Sequence, residues 1–233
     1  MNILAFDAST LACSACVMQD GKILSSRYLN TGLTHSQTLL PLIESVLSDA
    51  KITVDMLDCI AVTVGPGSFT GIKIAVATAK GLAHKNKTPC LPVSSLLALA
   101  KGIGFDGTVC AVEDARRSML YNANFKNGQR ITEDRQISVT ELLDTTEGPL
   151  LFCGDGAHIA VKEAQKRGID VYEATPDRMF IRAETVAFIA AEASESELLS
   201  PDKLEPAYLR LPQAERERIE QEKQSNRKDD NTL

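Results

Sequence analysis

Two short runs in this chain carry residue types that chemistry can use. Gly65-Pro66-Gly67-Ser68-Phe69-Thr70-Gly71 follows an apolar run from Ile60 to Val64, and Asp7-Ala8-Ser9-Thr10 follows another from Ile3 to Phe6. Both turns therefore fall at the ends of predicted strands, at one sheet edge, where ligands collect in open α/β sheets. Gly65, Gly67 and Gly71 let another backbone or a phosphate approach closely. Ser68 or Thr70 can cap the helix that follows, whose free N–H groups would face the cleft. A tight strand-to-helix connection with no ligand satisfies the same glycines. The spacing is not that of a P-loop, because Gly71 is followed by Ile72-Lys73 and not by Lys-Ser/Thr. Asp7, with Ser9 and Thr10, would hold a metal-bound phosphate or serve as a strand-end cap, and Gly154 and Gly156 would close on the other side of such a nucleotide-facing cleft.

Other reactive residues are sparse. The three histidines, His35, His84 and His158, are widely separated and none has a partner at ligand spacing. His35 reads as a packed or capping residue. Cys13-Ser-Ala-Cys16 is formally a CxxC, but it lies in a predicted strand and has no second pair for zinc. No HExxH occurs, which removes the metallopeptidase class. No metal site and no catalytic residue is assigned, and no cofactor is expected.

Composition narrows the classes further. Hydrophobic residues make up 44% of the 233 and support a real core, whereas aromatics are 5% with no tryptophan. Stacking platforms for single-stranded nucleic acid are thus disfavoured. A net charge of −6 also argues against a phosphate-neutralising surface. No apolar run approaches the ~18 residues of a membrane span, the N-terminus lacks a basic leader, and the six cysteines fall mostly in apolar strand-like runs. A cytoplasmic protein is expected.

The elements that must position these residues follow from periodicity and turn chemistry. Strands are predicted over 2–8, 12–18 and 22–29, with a hairpin at Gln19-Asp20-Gly21. This antiparallel opening excludes a Rossmann domain, where a helix would follow the first strand. Thr34-His35-Ser36-Gln37 reads as a capping box opening a helix to Ala50. Its apolar arc, Leu39, Leu40, Leu42, Ile43, Val46 and Leu47, is wider than the ~100° needed to cover a sheet, and Pro41 should bend it. A strand at 58–64, the glycine turn and a small-residue helix over 70–86 complete the unit. The second half repeats the order: strands at 108–114, 118–126 and 130–138, a short helix near 140, a strand at 149–153, the Gly154-Asp155-Gly156 turn and a helix over 157–167. A short strand at 169–173 and a helix over 182–193 follow. The expected domains are 1–103 and 104–212, with a charged tail over 213–233 that is expected to be disordered. This duplicated β-β-β-α-β-α unit is the organisation of the actin-like ATPase (ASKHA) α/β fold.

The same motifs, ILAFDAST with Cys13, His35 with Leu39-Leu40-Pro41, GPGSFTGIKIA, Ala79-Lys80-Gly81-Leu82-Ala83, Asp114-Ala115-Arg116-Arg117 with Tyr121, Gly154-Asp155-Gly156-Ala157 and Pro206-Ala207-Tyr208-Leu209-Arg210, resemble the TsaB (YeaZ) family over most of residues 1–212. The resemblance implies a non-catalytic subunit of the machinery that makes N6-threonylcarbamoyladenosine at position 37 of tRNAs reading ANN codons. Such a subunit binds its catalytic paralogue TsaD and works with the ATPase TsaE, meeting tRNA only through the complex. The paralogue's HxxxH metal pair is matched here by Ser95 and Leu99. The alternative is an ATP-dependent small-molecule kinase, which the small size of each half disfavours. The partner surface is expected on the two helices, at Leu39, Leu42, Ile43 and Val46 of the first and Ile72, Ala75 and Ala79 of the second. The same patch would form a homodimer in isolation, and at least one of Leu39→Glu, Leu42→Glu and Val46→Glu would leave the chain folded while abolishing self-association and TsaD binding.

Overall fold

A computed structural model of the chain describes residues 1–209. Its first strands, β1 (Asn2–Asp7), β2 (Cys13–Gln19) and β3 (Lys22–Leu29), form an antiparallel meander. Asp20 and Gly21 both adopt positive φ, the backbone twist that a two-residue hairpin between right-twisted strands requires. After α1 (His35–Ala50), the parallel strands β4 (Cys59–Gly65) and β5 (Cys90–Ser94) extend the sheet beyond β1, with α2 (Phe69–Ala83) as their crossover. The strand order is β3-β2-β1-β4-β5.

After α3 (Ser95–Ala100), the second half builds its own sheet from β6 (Thr108–Asp114), β7 (Met119–Lys126), β8 (Gln129–Arg130), β9 (Arg135–Ser138), β10 (Leu150–Cys153) and β11 (Tyr172–Glu173). Its helices are α4 (Val139–Thr145) and α5 (Ala157–Lys166), with α6 (Ala183–Glu192) after β11. The order β11-β10-β6-β7-β8, with β9 also on β7, repeats the first sheet's pattern of antiparallel strands on one side and parallel strands on the other. This is the duplicated actin-like α/β architecture that the sequence leads one to expect.

Alternation along the strands builds three cores. In β1, Leu4 and Phe6 face α1 and α2, whereas Ile3 and Ala5 face the other way, toward α3 and α6. Val109 and Ala111 of β6 join that central layer, while Cys110 and Val112 pack under α4 and α5. The layers therefore run from α1 and α2 through the first sheet, then α3 and α6, then the second sheet, to α4 and α5.

Several expectations are corrected. The predicted 130–138 strand is broken into β8 and β9, because the Asn124 carbonyl accepts the Ile131 amide at 2.8 Å, the Asn124 amide donates to the Thr132 hydroxyl at 2.8 Å, and Asp134 turns inward to accept the Ser94 hydroxyl. Thr34 precedes α1 as expected but does not cap it through its side chain; its hydroxyl lies 3.2 Å from that of Ser36. The 103/104 boundary does not account for the C-terminal segment, which returns to the first half. There α6 packs on β1 and β2, Leu199 pairs with Cys90, and the Ala207 amide donates to the Val64 carbonyl at 2.8 Å. The 213–233 tail lies outside the described residues.

The expected partner residues are also relocated. Leu39, Leu42, Ile43 and Val46 of α1, and Ile72, Ala75 and Ala79 of α2, are at most 7% exposed. The wide arc is consumed because α1 must cover β2 and β3 and also pack against α2. The helices show outward Leu40, Pro41 and Glu44 from α1 and Lys73 and Ala77 from α2. Val46→Glu is accordingly expected to unfold the chain and not to act selectively on association, and Leu39→Ala to cost about 2–5 kcal/mol. Circular dichroism and urea unfolding of the two variants check this.

Candidate functional site

The two turns singled out above meet, and what they meet is mainly each other. The Ser68 amide donates to the Ser9 carbonyl at 2.7 Å. A Cβ on Gly71 would lie 1.9 Å from the Ala8 carbonyl oxygen, and one on Gly67 2.4 Å from that of Ser9. These glycines are required because one backbone lies directly on another. Of the two candidate caps, Ser68 does the work, accepting the Gly71 amide at 3.3 Å. The first turn is braced from its other side by His35, whose Nε2–H donates to the Thr10 carbonyl at 2.7 Å. His35 is thus the packed residue its sequence context suggested.

Asp7 closes the end of β1. Its Oδ1 accepts the Ser9 amide at 3.0 Å and the Ser9 hydroxyl at 2.6 Å, and also the Thr63 hydroxyl from β4. It therefore ties two parallel strands together while capping its own turn. Its Oδ2 and the Thr10 hydroxyl are buried without a protein partner. Burial raises the Asp7 pKa, against the pull of its three hydrogen bonds.

On the far side, Gly154, Asp155 and Gly156 form a turn against the end of β6. The Gly156 amide donates to the Val112 carbonyl at 3.2 Å, and Asp155 Oδ1 accepts the Asp114 amide at 2.9 Å. Burial holds the Asp155 carboxyl above its ordinary range. The five predicted cleft residues, Asp7, Ser9, Thr10, Gly154 and Gly156, therefore lie at the ends of β1 and β10, on the two sides of one junction.

A residue that the sequence reading passed over fills the space between them. The Gly67 Cβ position lies 2.8 Å from Glu113 Oε2, and that of Gly156 3.0 Å from the Glu113 carbonyl carbon. Glu113 is 2% exposed, and neither carboxyl oxygen has a protein hydrogen-bond partner. Its pKa is pushed well up, first by burial and then by the charges of Asp155, Asp7 and Asp134. The signal was available: in Thr108–Asp114, Glu113 shares the face of Val109 and Ala111, so alternation places a charge on a buried face.

An anion entering this junction meets the Asp7, Glu113 and Asp155 carboxyls. Among the described residues no group of three or more His, Cys, Asp or Glu is placed to hold a metal ion. Ser95 and Leu99 are buried in α3, and Leu99 packs 3.0 Å from the Gly154 Cβ position. The CxxC is split by the pleat, Cys13 facing the outer core and Cys16 the central one. Burial pushes the Cys13 thiol up to about 12, far from a reactive thiolate.

A sequence profile of the family described as "TsaD: tRNA N6-adenosine threonylcarbamoyltransferase" matches residues 30–209. The chain is 30% identical over 232 residues to the tRNA threonylcarbamoyladenosine biosynthesis protein TsaB of Bacillus subtilis, covering 96% of this chain and 100% of that protein. It is 28% identical to the protein of the same name from Escherichia coli, over 90% of this chain and 95% of that one. Among solved structures, YeaZ from Pseudomonas aeruginosa is similar with a TM-score of 0.75 at 26% identity, covering 89% of this chain and 99% of that one. A second Pseudomonas aeruginosa structure, described as similar to peptidase YeaZ, gives 0.78 at 27% identity, covering 90% and 99%.

The backbone contact at the cleft predicts opposite outcomes for two glycines of one helix. Gly71→Ala is expected to destabilise by about 1–3 kcal/mol, since its Cβ collides with a carbonyl that cannot swing away. Gly81→Ala, with nothing within 4 Å of its Cβ position, is expected to stabilise by about 0.5–1 kcal/mol. Urea unfolding of both variants checks the pair.

Proposed function

The chain belongs to the TsaB (YeaZ) family, and we propose that it acts as a non-catalytic subunit required for threonylcarbamoyladenosine formation at position 37 of tRNAs reading ANN codons. In this reading it binds and activates its paralogue TsaD, works with TsaE, and meets tRNA only through the assembled complex. The observation that carries the non-catalytic part is the cleft itself, whose glycines are engaged by the chain's own backbone and whose centre is filled by the buried Glu113 carboxyl. Full-length similarity to the Bacillus subtilis TsaB supports the pathway. Nothing in the site favours the kinase alternative, since the turns that would grip phosphate face three carboxyls.

The partner surface is proposed on the outer faces of α1 and α2. Leu40 is 46% exposed there, and α2 contributes Ala77 beside the half-buried Ile74 and Thr78. Small residues on one helix permit close approach of another. The seven buried residues named above support this face from beneath without touching a partner. The same face would pair two copies in isolation, so that the homodimer opens before TsaD binds. Six buried, free thiols suit a reducing cytoplasm.

Depleting the protein from its cells is expected to lower threonylcarbamoyladenosine in digested tRNA, read by mass spectrometry. An unchanged level would remove the assignment. Leu40→Glu and Ala77→Glu, both at exposed positions, are expected to leave the fold within ~0.5 kcal/mol of wild type while abolishing self-association and TsaD capture together. If both variants still dimerise and still capture TsaD, the interface lies on another face.

A further inference from the structure

The proposed function uses Glu113 only as the side chain that fills the cleft; among the described residues it is also a conspicuous buried ionisable group. Both its oxygens lack a protein partner, and it sits where Gly67 and Ser9 of the first half face Gly156 of the second. The charges of three carboxyls act on it: Asp155 in the turn after β10, Asp7 at the end of β1, and Asp134 before β9. The Arg130 guanidinium is engaged by Asp134 and by the Ser94 hydroxyl, at 3.1 Å from the latter, and Arg135 Nε by the Asn122 side-chain oxygen at 3.0 Å. Among the described residues, the charges that act on Glu113 are the carboxyls of Asp155, Asp7 and Asp134, with no cation beside them.

We propose that Glu113 is a neutral carboxylic acid wedged between the two halves as a proton-dependent latch, and that losing its proton opens the junction between the Gly67–Gly71 turn and the Gly154–Gly156 turn. An ionised carboxylate at this point is deprived of water and faces three like charges, so its route to a lower energy is hydration, and hydration requires the two turns to separate. The sign follows from linkage. The closed form holds the Glu113 proton more tightly than the open form, in which the group is hydrated and titrates in the ordinary carboxylate range. Closure is therefore complete below that range and is lost progressively as pH rises toward the raised value. Because one proton is released, the opening constant should rise about tenfold per pH unit inside that window and level off above it. The other ionisable groups on these turns bond within their own half: Asp7 to Ser9 and to Thr63 of β4, His35 to the Thr10 carbonyl, Asp155 to the Asp114 amide of β6, and His158 to the Asp155 carbonyl.

Amide hydrogen exchange measured from pH 5 to pH 9, corrected for the intrinsic base-catalysed rate, tests the latch in the full chain. For the amides of residues 67–71 and 154–157, wild type is expected to show a corrected opening constant that climbs about tenfold per unit over part of this range. Glu113→Gln keeps the shape but cannot ionise, so its opening constant should be flat. The carbon-13 shift of the wild-type Glu113 carboxyl, followed by NMR, should titrate well above the other glutamates, and this reading stands even if the variant fails to fold. The proposal is overturned if that carboxyl titrates with the ordinary glutamates, if the wild-type opening constant does not change with pH, or if Glu113→Gln follows the wild-type curve.

Discussion

The seating of the Gly67–Gly71 turn on the Ala8–Ser9 backbone is the contact from which the rest of the cleft side takes its position. With carbonyls pressed where a Cβ would stand, the start of α2 cannot shift relative to the end of β1 without breaking the Ser68–Ser9 hydrogen bond. The neighbouring pieces are hung from this joint. His35 fixes the start of α1 to Thr10, and Phe69 at the first turn of α2 stacks on Tyr208 with ring centroids 4.8 Å apart. The returning C-terminal segment is thereby held beside β4, where Ala207 donates to Val64.

The same joint explains why a cleft built like a ligand site need not behave as one. Open α/β sheets gather ligands at the carboxyl ends of their strands because backbone donors and glycine turns collect there. Here the donors of the first turn are used internally, by Ser68 toward Ser9 and by Ser9 toward Asp7. The side chain that occupies the centre is acidic, and the strand-end carboxyls of both halves converge on it. The strand-end architecture of an open α/β sheet is kept here, with the chain's own backbone and the Glu113 carboxyl packed into the junction.

The helices show a parallel economy. In α1 the buried side is continuous from Thr38 to Leu47, and it runs unbroken through Pro41, whose missing N–H is offset by the packing of Leu39, Leu42 and Ile43 around it. What remains outward is a modest strip in which Leu40 is the principal apolar side chain. That strip lies on a helix whose opposite side is fixed in the core, so its position is set by the layer beneath.

The sequence by itself determined the parts of this protein that local physics decides. The order of most strands and helices followed from hydrophobic period, β5 and α3 being elements it did not mark. The Asp20-Gly21 hairpin followed from residues that accept positive φ, and the start of α2 from a hydroxyl residue, Ser68 or Thr70, able to cap it. The absence of histidine pairs at ligand spacing was equally plain in the chain. Only the tertiary structure decided how wide a helix face the sheet consumes, since that depends on α1 covering β2 and β3 while also touching α2. It alone decided that 130–138 breaks where Asn124 and Asp134 find better partners. It also brought residues 7, 67, 113 and 156 to one point. Periodicity marks Glu113 as a charge on a buried face, but its meaning comes from groups more than forty residues away on either side of the chain, and no local pattern encodes that meeting.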